Sequence, residues 1–328
     1  MSKDRLALES EIENILAAAR LAFQYQEWQA LWAIGYTLGE RIHQFGHWTA
    51  CEALLRLCAD GAAKSGDRKA WAAFTHNLGI VLQTRGELEE AEGFYNQSLA
   101  LAREVANRLG EANTLHQLGR VAQDRGKLEE AEDYYNQSLV IEREIGDRPG
   151  EAKTLHQLGR IAHIRGKLEE AEGLYKQARD AFIEVGDRRS EAAVLHQFGI
   201  VAQDRGELDE AEQFYQQSIA IKREVGDRPG EAITLHQLGV VAQIHGKLEE
   251  AEVFYRQSML IECEVGDRPS EAMTLAQLAM LAEAQGNLKL AVERMEKACA
   301  MIEDMGLGEK KRARADLERL RKRLAEEG

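Results

Sequence analysis

A repeat of forty residues runs through this chain and limits the folds open to it more than any other feature. The phrase TLHQLGRVAQDRG begins at Thr114, and closely similar phrases begin at Thr154, Val194 and Thr234. Self-similarity at a fixed period is typical of stacked repeat proteins, in which each short unit packs only on its neighbours. We therefore expect an array of small units and not one central core.

The period also defines the boundaries of the predicted array. Counting in register from Asp67 gives six full units, and a degenerate unit precedes them. We predict a capping helix in residues 1–26, seven repeats over residues 27–306 and a charged capping helix in residues 307–328. The repeats are 27–66 (degenerate), 67–106, 107–146, 147–186, 187–226, 227–266 and 267–306.

Each unit predicts two helices, which we call helix A and helix B. In the unit 147–186, Asp147 suits an N-cap and Pro149 falls in the first turn, where its missing N–H costs nothing. Gly166 is placed to end helix A in the left-handed conformation. The segment KLEEAE then begins helix B, with its acidic residues near the positive end of the helix dipole. Neither helix can bury its apolar side alone, so the units must stack.

Composition supports an all-α protein and excludes several functions. Only 6% of residues are aromatic, which is low for strands. The net charge of −14 argues against nonspecific nucleic-acid binding and against docking on anionic membranes. No segment approaches the ~20 apolar residues of a membrane span, the N-terminus lacks the pattern of a signal peptide, and the four cysteines form no CxxC pair. We expect a cytoplasmic protein with reduced cysteines.

The repeated positions resemble the tetratricopeptide repeat. In one unit the matching residues are Leu155, Leu158, Gly159, Ala171, Tyr175 and Ala178. The forty-residue period is longer than the usual one, and this lengthened form is similar to repeats of kinesin light chain, of spindle-orientation adaptors and of sensor arrays in bacterial signalling ATPases. The resemblance implies a right-handed α-solenoid of stacked helical hairpins, with one side of each helix A lining a concave groove.

We number helix A from the alanine that recurs at Ala112 and Ala152 as position one. Positions one, four, seven, eight and eleven form the predicted packing stripe, and positions two, five, nine, twelve and thirteen form a second stripe. The resemblance places this second stripe, with the amides at position six, on the concave surface. The groove residues, as we call the predicted peptide-binding set, are His76, Asn77, Asn113, His116, Gln117, Arg120, Gln123, Lys153, His156, Gln157, Arg160, His163, His196, Gln197, Ile200, Ile233, His236, Gln237, Val240, Ile244, Met273, Gln277 and Met280.

The groove residues change in character along the chain. The earlier ones include the cations Arg120, Lys153 and Arg160, whereas the later ones include Ile233 and Met273. This change predicts a protein or peptide ligand with an acidic part and an apolar part. The amides at position six offer both a donor and an acceptor to the backbone of an extended peptide.

The five histidines at position five admit two interpretations. As groove residues they are solvated, titrate near pH 6.5 and strengthen the binding of an acidic ligand at pH 6. In the alternative, their rings lie between repeats and bond to backbone or glutamine neighbours. A zinc site is not expected, because adjacent helices stand ~8–10 Å apart whereas zinc needs several ligands within ~2.1 Å of one point.

The predicted function is a non-catalytic scaffold that binds a peptide or protein segment in the groove. No metalloprotease, nucleophile-elbow or phosphate-loop motif is present, so no enzyme activity, metal or cofactor is expected. Nucleic acid, membrane and small-molecule cofactors are not expected as partners. An alternative from a different class is a ligand-sensing regulatory module of a bacterial signalling (STAND-type) ATPase system.

Overall fold

A computed structural model describes residues 3–306, 308 and 310–327 of the chain. Residues 1–2, 307, 309 and 328 of the two predicted capping segments lie outside the described residues. The described part is all α-helical. Its helices are α1 (Lys3–Gln24), α2 (Trp28–Gln44), α3 (Trp48–Ser65), α4 (Arg68–Thr84), α5 (Leu88–Glu104), α6 (Arg108–Asp124), α7 (Leu128–Ile145), α8 (Arg148–Ile164), α9 (Leu168–Glu184), α10 (Arg188–Arg205), α11 (Leu208–Glu224), α12 (Arg228–Ile244), α13 (Leu248–Val265), α14 (Arg268–Ala284), α15 (Leu288–Met305) and α16 (Lys310–Glu327).

The chain divides into two compact units, residues 1–165 and residues 166–328. In the first unit α4 packs on α5, α5 on α6 and α6 on α7, so that hairpins stack on one another. The second unit repeats this arrangement from α10 to α15, and α16 packs on α15. Each unit is thus a stack of helical hairpins, as the repeat predicts. Across the described residues, no helix is both long enough and apolar enough to cross a bilayer.

The helix ends follow the predicted signals. The side chain of Asp147 accepts a hydrogen bond of 3.1 Å from the backbone N–H of Gly150 and so caps α8. Pro149 lies in the first turn of that helix. Gly166 has a φ of 72°, the left-handed conformation that glycine adopts without strain. Short side-chain caps and left-handed glycines thus set the hairpin geometry.

Within a hairpin, the glycine at position eight of helix A faces a buried tyrosine of helix B. A Cβ atom added at Gly119 would lie 2.7 Å from ring carbons of Tyr135, and one at Gly199 would lie 2.4 Å from Tyr215. The glycine therefore lets the two helix backbones approach with the ring between them. This close contact explains why the Leu-Gly pair and the tyrosine recur together.

Helix A is buried more broadly than its predicted packing stripe. The stripe residues Ala112, Leu115 and Leu118 are buried, as expected. Thr114 at position three and Val121 at position ten are buried as well. Helix A of one repeat contacts helix A of the next, as α4 does with α6 and α10 with α12, which covers these extra positions.

Ion pairs join several of the helices A to the preceding helix B along another edge of the stack. Arg125 pairs with Glu92, and Arg165 pairs with Glu132 in the same register. In the second unit Arg205 bonds to Glu172 at 2.6 Å. These arginines are about three-quarters buried, so their pairs are better shielded than ordinary surface salt bridges.

Candidate binding surface

In the first unit, the cationic groove residues are exposed. Arg120, Lys153, Arg160 and Asn113 all present exposed side chains, and the amides at position six are half-buried. Arg120 donates to Gln117 at 3.2 Å, and Arg160 donates to Gln157 at 3.0 Å. Each amide oxygen thus holds an arginine of its own helix and keeps its N–H groups for other acceptors.

In the second unit, apolar groove residues are exposed instead. Ile233, Ile244 and Met273 are 53%, 56% and 50% exposed. Ile200, Val240 and Met280 are half-buried beside them in register. Apolar side chains that recur at fixed positions of a solvated stripe indicate a contact surface more than scattered exposure does.

The histidines at position five are half-buried, and His196 is buried, so the expectation of fully solvated rings is wrong. Nδ1 of His76 lies 3.0 Å from Oγ1 of Thr114, and Nδ1 of His116 lies 2.9 Å from Oγ1 of Thr154. In the second unit His196 contacts Thr234 and His236 contacts Thr274, both at 3.0 Å. Each of these histidines therefore bonds to helix A of the next repeat, although the bond goes to a threonine and not to the backbone or a glutamine.

The same rings pack against the buried tyrosines. Ring centroids of His116 and Tyr135 are 5.2 Å apart, and those of His196 and Tyr215 are 5.3 Å apart. Burial lowers the pKa of His76, His116 and His156 to about 4 and that of His196 to about 3, and it also lowers the pKa of His236. The predicted gain of positive charge near pH 6.5 is therefore wrong, because an uncharged ring is what this packing accommodates.

Hydrogen-bond counting assigns the tautomer of these histidines. Thr114 donates its hydroxyl hydrogen to the carbonyl of Gly110, and Thr154 donates its own to Oε1 of Glu142. A threonine hydroxyl has one hydrogen, so in each pair the histidine Nδ1 is the donor. Nε2 of His76 and His116 then carries the lone pair.

A second set of buried polar residues lies beneath these pairs, on helix B. Glu142 and Glu262 are 2% and 3% exposed, and Lys222 occupies the equivalent position at 5%. Burial raises the pKa of Glu142 to about 7 and also raises that of Glu262, with Asp147 adding to the effect at Glu142. Burial lowers the pKa of Lys222 to about 8. This position is not among the residues predicted from the sequence, although its change from Ala102 to Glu142, Phe182, Lys222 and Glu262 is visible in register.

The geometry around Glu142 fits a protonated carboxyl group. Ser138 Oγ lies 2.8 Å from the Ala112 carbonyl and 2.9 Å from Glu142 Oε1. In a repeat without the glutamate, the equivalent Ser98 donates to the Ala72 carbonyl. Ser138 has a single hydroxyl hydrogen to share between the Ala112 carbonyl and Glu142 Oε1, so it stabilises a Glu142 carboxylate less than an undivided hydrogen bond would.

The half-buried amide at position twelve of helix A has a structural partner. Tyr135 donates through its hydroxyl group to Oε1 of Gln123 at 3.2 Å, and Tyr255 donates to Gln243 at 3.0 Å. Gln123 therefore satisfies a hydroxyl at the end of a buried ring, and its N–H groups remain as donors for a ligand.

The degenerate repeat contributes a cavity that the sequence analysis did not anticipate. It has a volume of about 450 Å³, and its lining includes Tyr36, Gly39, Glu40 and Asn77. Tyr36 stands at position five, where the next five repeats carry histidine, and its ring stacks on Phe74 with a centroid distance of 4.7 Å. Extending the numbering of helix A back to the degenerate repeat would have identified Tyr36 as the residue at position five.

One group of side chains in the second unit has metal-ligand chemistry. Ligand atoms of Asp209, Glu212 and His245 lie within 4.8 Å of one another. Nζ of Lys247 lies 3.5 Å from Glu212, so a cation already neutralises part of this group. Asp209 is exposed, and exposed acidic groups are common without a metal ion.

These features define a class: an all-α protein of stacked helical hairpins with an exposed, variable side of helix A. Tetratricopeptide repeat models match residues 71–141, 111–184 and 190–261, which together make up more than half of the chain. The chain belongs to the tetratricopeptide repeat family. Such repeats are typically protein-interaction modules and are usually non-catalytic.

Solved structures show the same fold. The chain is similar to a putative kinesin light chain from Podosopora anserina with nearly identical repeats (22% identity, TM-score 0.50, covering 59% of this chain and 95% of that one). It is similar to RapI in its apo form (14% identity, TM-score 0.65, covering 83% of this chain and 98% of that one). It is also similar to the STAND protein PH0952 from Pyrococcus horikoshii, which has a tetratricopeptide repeat sensor (14% identity, TM-score 0.66, covering 98% of this chain and 50% of that one). At these identities the likeness shows the fold alone. A comparison with curated proteins finds no match.

Proposed function

We propose that this chain is a non-catalytic scaffold that binds a peptide or protein segment through the exposed groove residues of helix A. The first unit binds an acidic part of the partner, and the second unit binds an apolar part. The observation that carries this proposal is the contrast between the two sides of helix A. Packing residues such as Ala112 and Ala152 recur unchanged, whereas the exposed Asn113 and Lys153 become Ile233 and Met273 in later repeats.

The polar part of the proposal is supported by the charges. Arg120, Lys153 and Arg160 are exposed on one stripe of a chain whose net charge is −14. Their charges are available to a carboxylate, because within the described residues the side-chain hydrogen bonds of Arg120 and Arg160 go to neutral amides of their own helices. A charge-assisted bond between arginine and carboxylate is stronger than a neutral one.

The test is capture of a partner from native cytosolic extract by the full chain, followed by mapping of the bound segment. Arg120→Glu with Arg160→Glu should abolish capture of an acidic segment while helicity and the melting temperature stay unchanged. Arg20→Glu with Arg189→Glu is the matched control, because it makes the same charge change at exposed residues outside the stripe. Undiminished capture by the Arg120/Arg160 variant contradicts the polar half of the proposal.

The apolar half is tested separately with Ile233→Ser and Ile244→Ser, both on α12. This double variant should lose capture of the apolar segment without loss of stability, because both side chains are more than half exposed. Capture that is equal to that of the parent chain contradicts an apolar contact on α12.

A further inference from the structure

The cavity between α6 and α8 in the first unit has an acidic part and a cationic part. It has a volume of about 370 Å³, and its lining includes Glu142, Asp147, His116, Arg120 and Lys153. The charges that act on Glu142 are those of Asp147 and Glu151. The charges that act on His116 are those of Arg120 and Lys153. The two signs therefore gather around different parts of one small cavity.

Glu142 brings an unused hydrogen-bond acceptor to this cavity. Its Oε1 contacts Ser138 and Thr154, each at 2.9 Å. Its Oε2 is buried and has no hydrogen-bond partner among the described residues. Buried polar atoms are nearly always satisfied, and one without a partner costs free energy. A donor on a bound group would satisfy Oε2.

The neighbouring repeat lacks this acceptor. The equivalent cavity between α4 and α6 has a volume of about 180 Å³ and has Ala102 where Glu142 stands. In the second unit, Lys222 stands at this position and donates to the Gly230 carbonyl at 3.1 Å and to Thr234 at 2.6 Å. The acidic acceptor is thus absent from these two repeats, although Glu262 in the second unit also has a buried Oε2 without a hydrogen-bond partner among the described residues.

We propose that this cavity binds an ammonium group that is joined to a carboxylate by a short chain. The ammonium group donates to Glu142 and is attracted by Asp147, while the carboxylate pairs with Arg120 and Lys153. A lysine side chain beside an acidic residue of a protein partner supplies this chemistry, and so does a free amino acid. The inference deepens the proposed function, on which it rests for the protein source, because it names part of the segment that the first unit binds.

Binding carries a proton balance. The groups that face Glu142 are Ser138 on its own helix and Thr154, Asp147 and Glu151 from the α8 side, and His116 reaches it through Thr154. An ammonium group favours the carboxylate form of Glu142, so the carboxyl proton passes to solvent as the ion pair forms. Because burial raises the pKa of Glu142 to about 7, affinity should rise between pH 6 and pH 8.

The experiment uses ω-amino acids as probes, from glycine to 6-aminohexanoate, titrated into the full chain and followed by calorimetry. One intermediate length should bind best, and both n-butylamine and pentanoate should bind much more weakly. Glu142→Gln should weaken the best probe by about tenfold or more, as loss of a charge-assisted bond predicts, and should remove the pH dependence. Glu262→Gln is the matched control in the second unit. It should change neither the affinity for the best probe nor the pH dependence of that affinity.

Two further arms complete the test. Titration in buffers of different ionisation enthalpy should show proton release in the parent chain and none in Glu142→Gln, whose folding is checked by its melting curve. If the natural ligand is part of a protein, a peptide with lysine beside aspartate should compete with the best probe. Failure of the peptide to compete would identify the ligand as a free amino acid. Equal affinity of Glu142→Gln, equal binding of butylamine or the absence of saturable binding by every probe would overturn the site.

These results are separable from those for the proposed function. If charge reversal at Arg120 and Arg160 leaves partner capture unchanged while Glu142→Gln still weakens the best probe, the scaffold proposal fails and the cavity stands. If partner capture depends on the arginines and no probe binds, the cavity proposal fails and the scaffold proposal stands.

Discussion

Nδ1 of His116 lies 2.9 Å from the hydroxyl oxygen of Thr154, which belongs to the next repeat of the stack. Thr154 in turn donates to Glu142 on the intervening helix B at 2.9 Å. The histidine, the threonine and the glutamate therefore join three successive helices, α6, α7 and α8, through side chains alone. The recurring histidines belong to the interface between repeats.

This relationship predicts that His116→Ala destabilises the protein. The variant leaves the Thr154 oxygen without its donor and removes a ring from contact with Tyr135, so we expect a loss of ~1–3 kcal/mol in the free energy of unfolding. Chemical denaturation measures it. Arg120→Ala, one turn away on the exposed stripe, should stay within about ±0.5 kcal/mol. If His116→Ala lowers the free energy of unfolding by no more than Arg120→Ala does, the contact between His116 and Thr154 makes no net contribution to stability.

The histidines at position five predict a loss of stability in mild acid. Burial lowers the pKa of His116 from 6.5 to about 4 in the folded chain. As the pH falls from 6.5 towards 4, the unfolded chain takes up a proton that the folded chain excludes, so the free energy of unfolding falls by up to about 1.4 kcal/mol per pH unit for each such histidine. Urea unfolding at several pH values measures the slope, and His116→Gln should reduce it by the share of one histidine. Asn113→Gln, at a nearby exposed position, should keep the slope of the parent chain.

Glu142 predicts a pH dependence of opposite sign. Burial raises its pKa from 4.5 to about 7, so its contribution to stability is present below pH 4.5 and is lost as the pH rises to about 7. Relative to the parent chain, Glu142→Gln should therefore gain stability as the pH rises over that interval, by about 3 kcal/mol at most. Unfolding measured at pH 4.5 and at pH 8 gives the difference.

Glu111 provides the contrasting control for that measurement. Burial would raise its pKa, but hydrogen bonds from Arg103 and Arg108 outweigh burial and lower it. Glu111→Gln should therefore lose stability relative to the parent chain as the pH rises towards 4.5, and this difference should stay constant from there to pH 8. Parallel behaviour of the two glutamine variants would contradict a buried, protonated Glu142.

The paired glycines predict opposite effects of the same substitution. Gly119→Ala places a Cβ atom 2.7 Å from the ring of Tyr135, which forces the hairpin apart and should cost ~1–3 kcal/mol. Gly93 lies within α5 with no atom within 4 Å of an added Cβ, so Gly93→Ala should stabilise the helix by roughly 0.5–1 kcal/mol. Thermal melts compare the two variants, and a shift of the same sign in both would exclude the close contact as the reason for Gly119.

The hairpins could be predicted from the sequence because their signals are local. Asp147, Pro149 and Gly166 each determine a helix end within a few residues, and the forty-residue period carries the pattern along the chain. Position five could not be placed correctly, because its angle on helix A suggests exposure and only the next repeat covers it. Glu142 has no local signal, since its helix is rich in glutamate, and its burial depends on contacts with two other helices.

The contact between a histidine and the threonine thirty-eight residues later has a consequence for the evolution of this chain. Because His76 bonds to Thr114 and His116 bonds to Thr154 in the same way, the surfaces of successive repeats are interchangeable. A gene that lost the codons for residues 107–146 would encode a chain in which His76 meets Thr154 with the same partner chemistry. Whole repeats can therefore be gained or lost by recombination without a new interface, while the number and order of exposed stripe residues change.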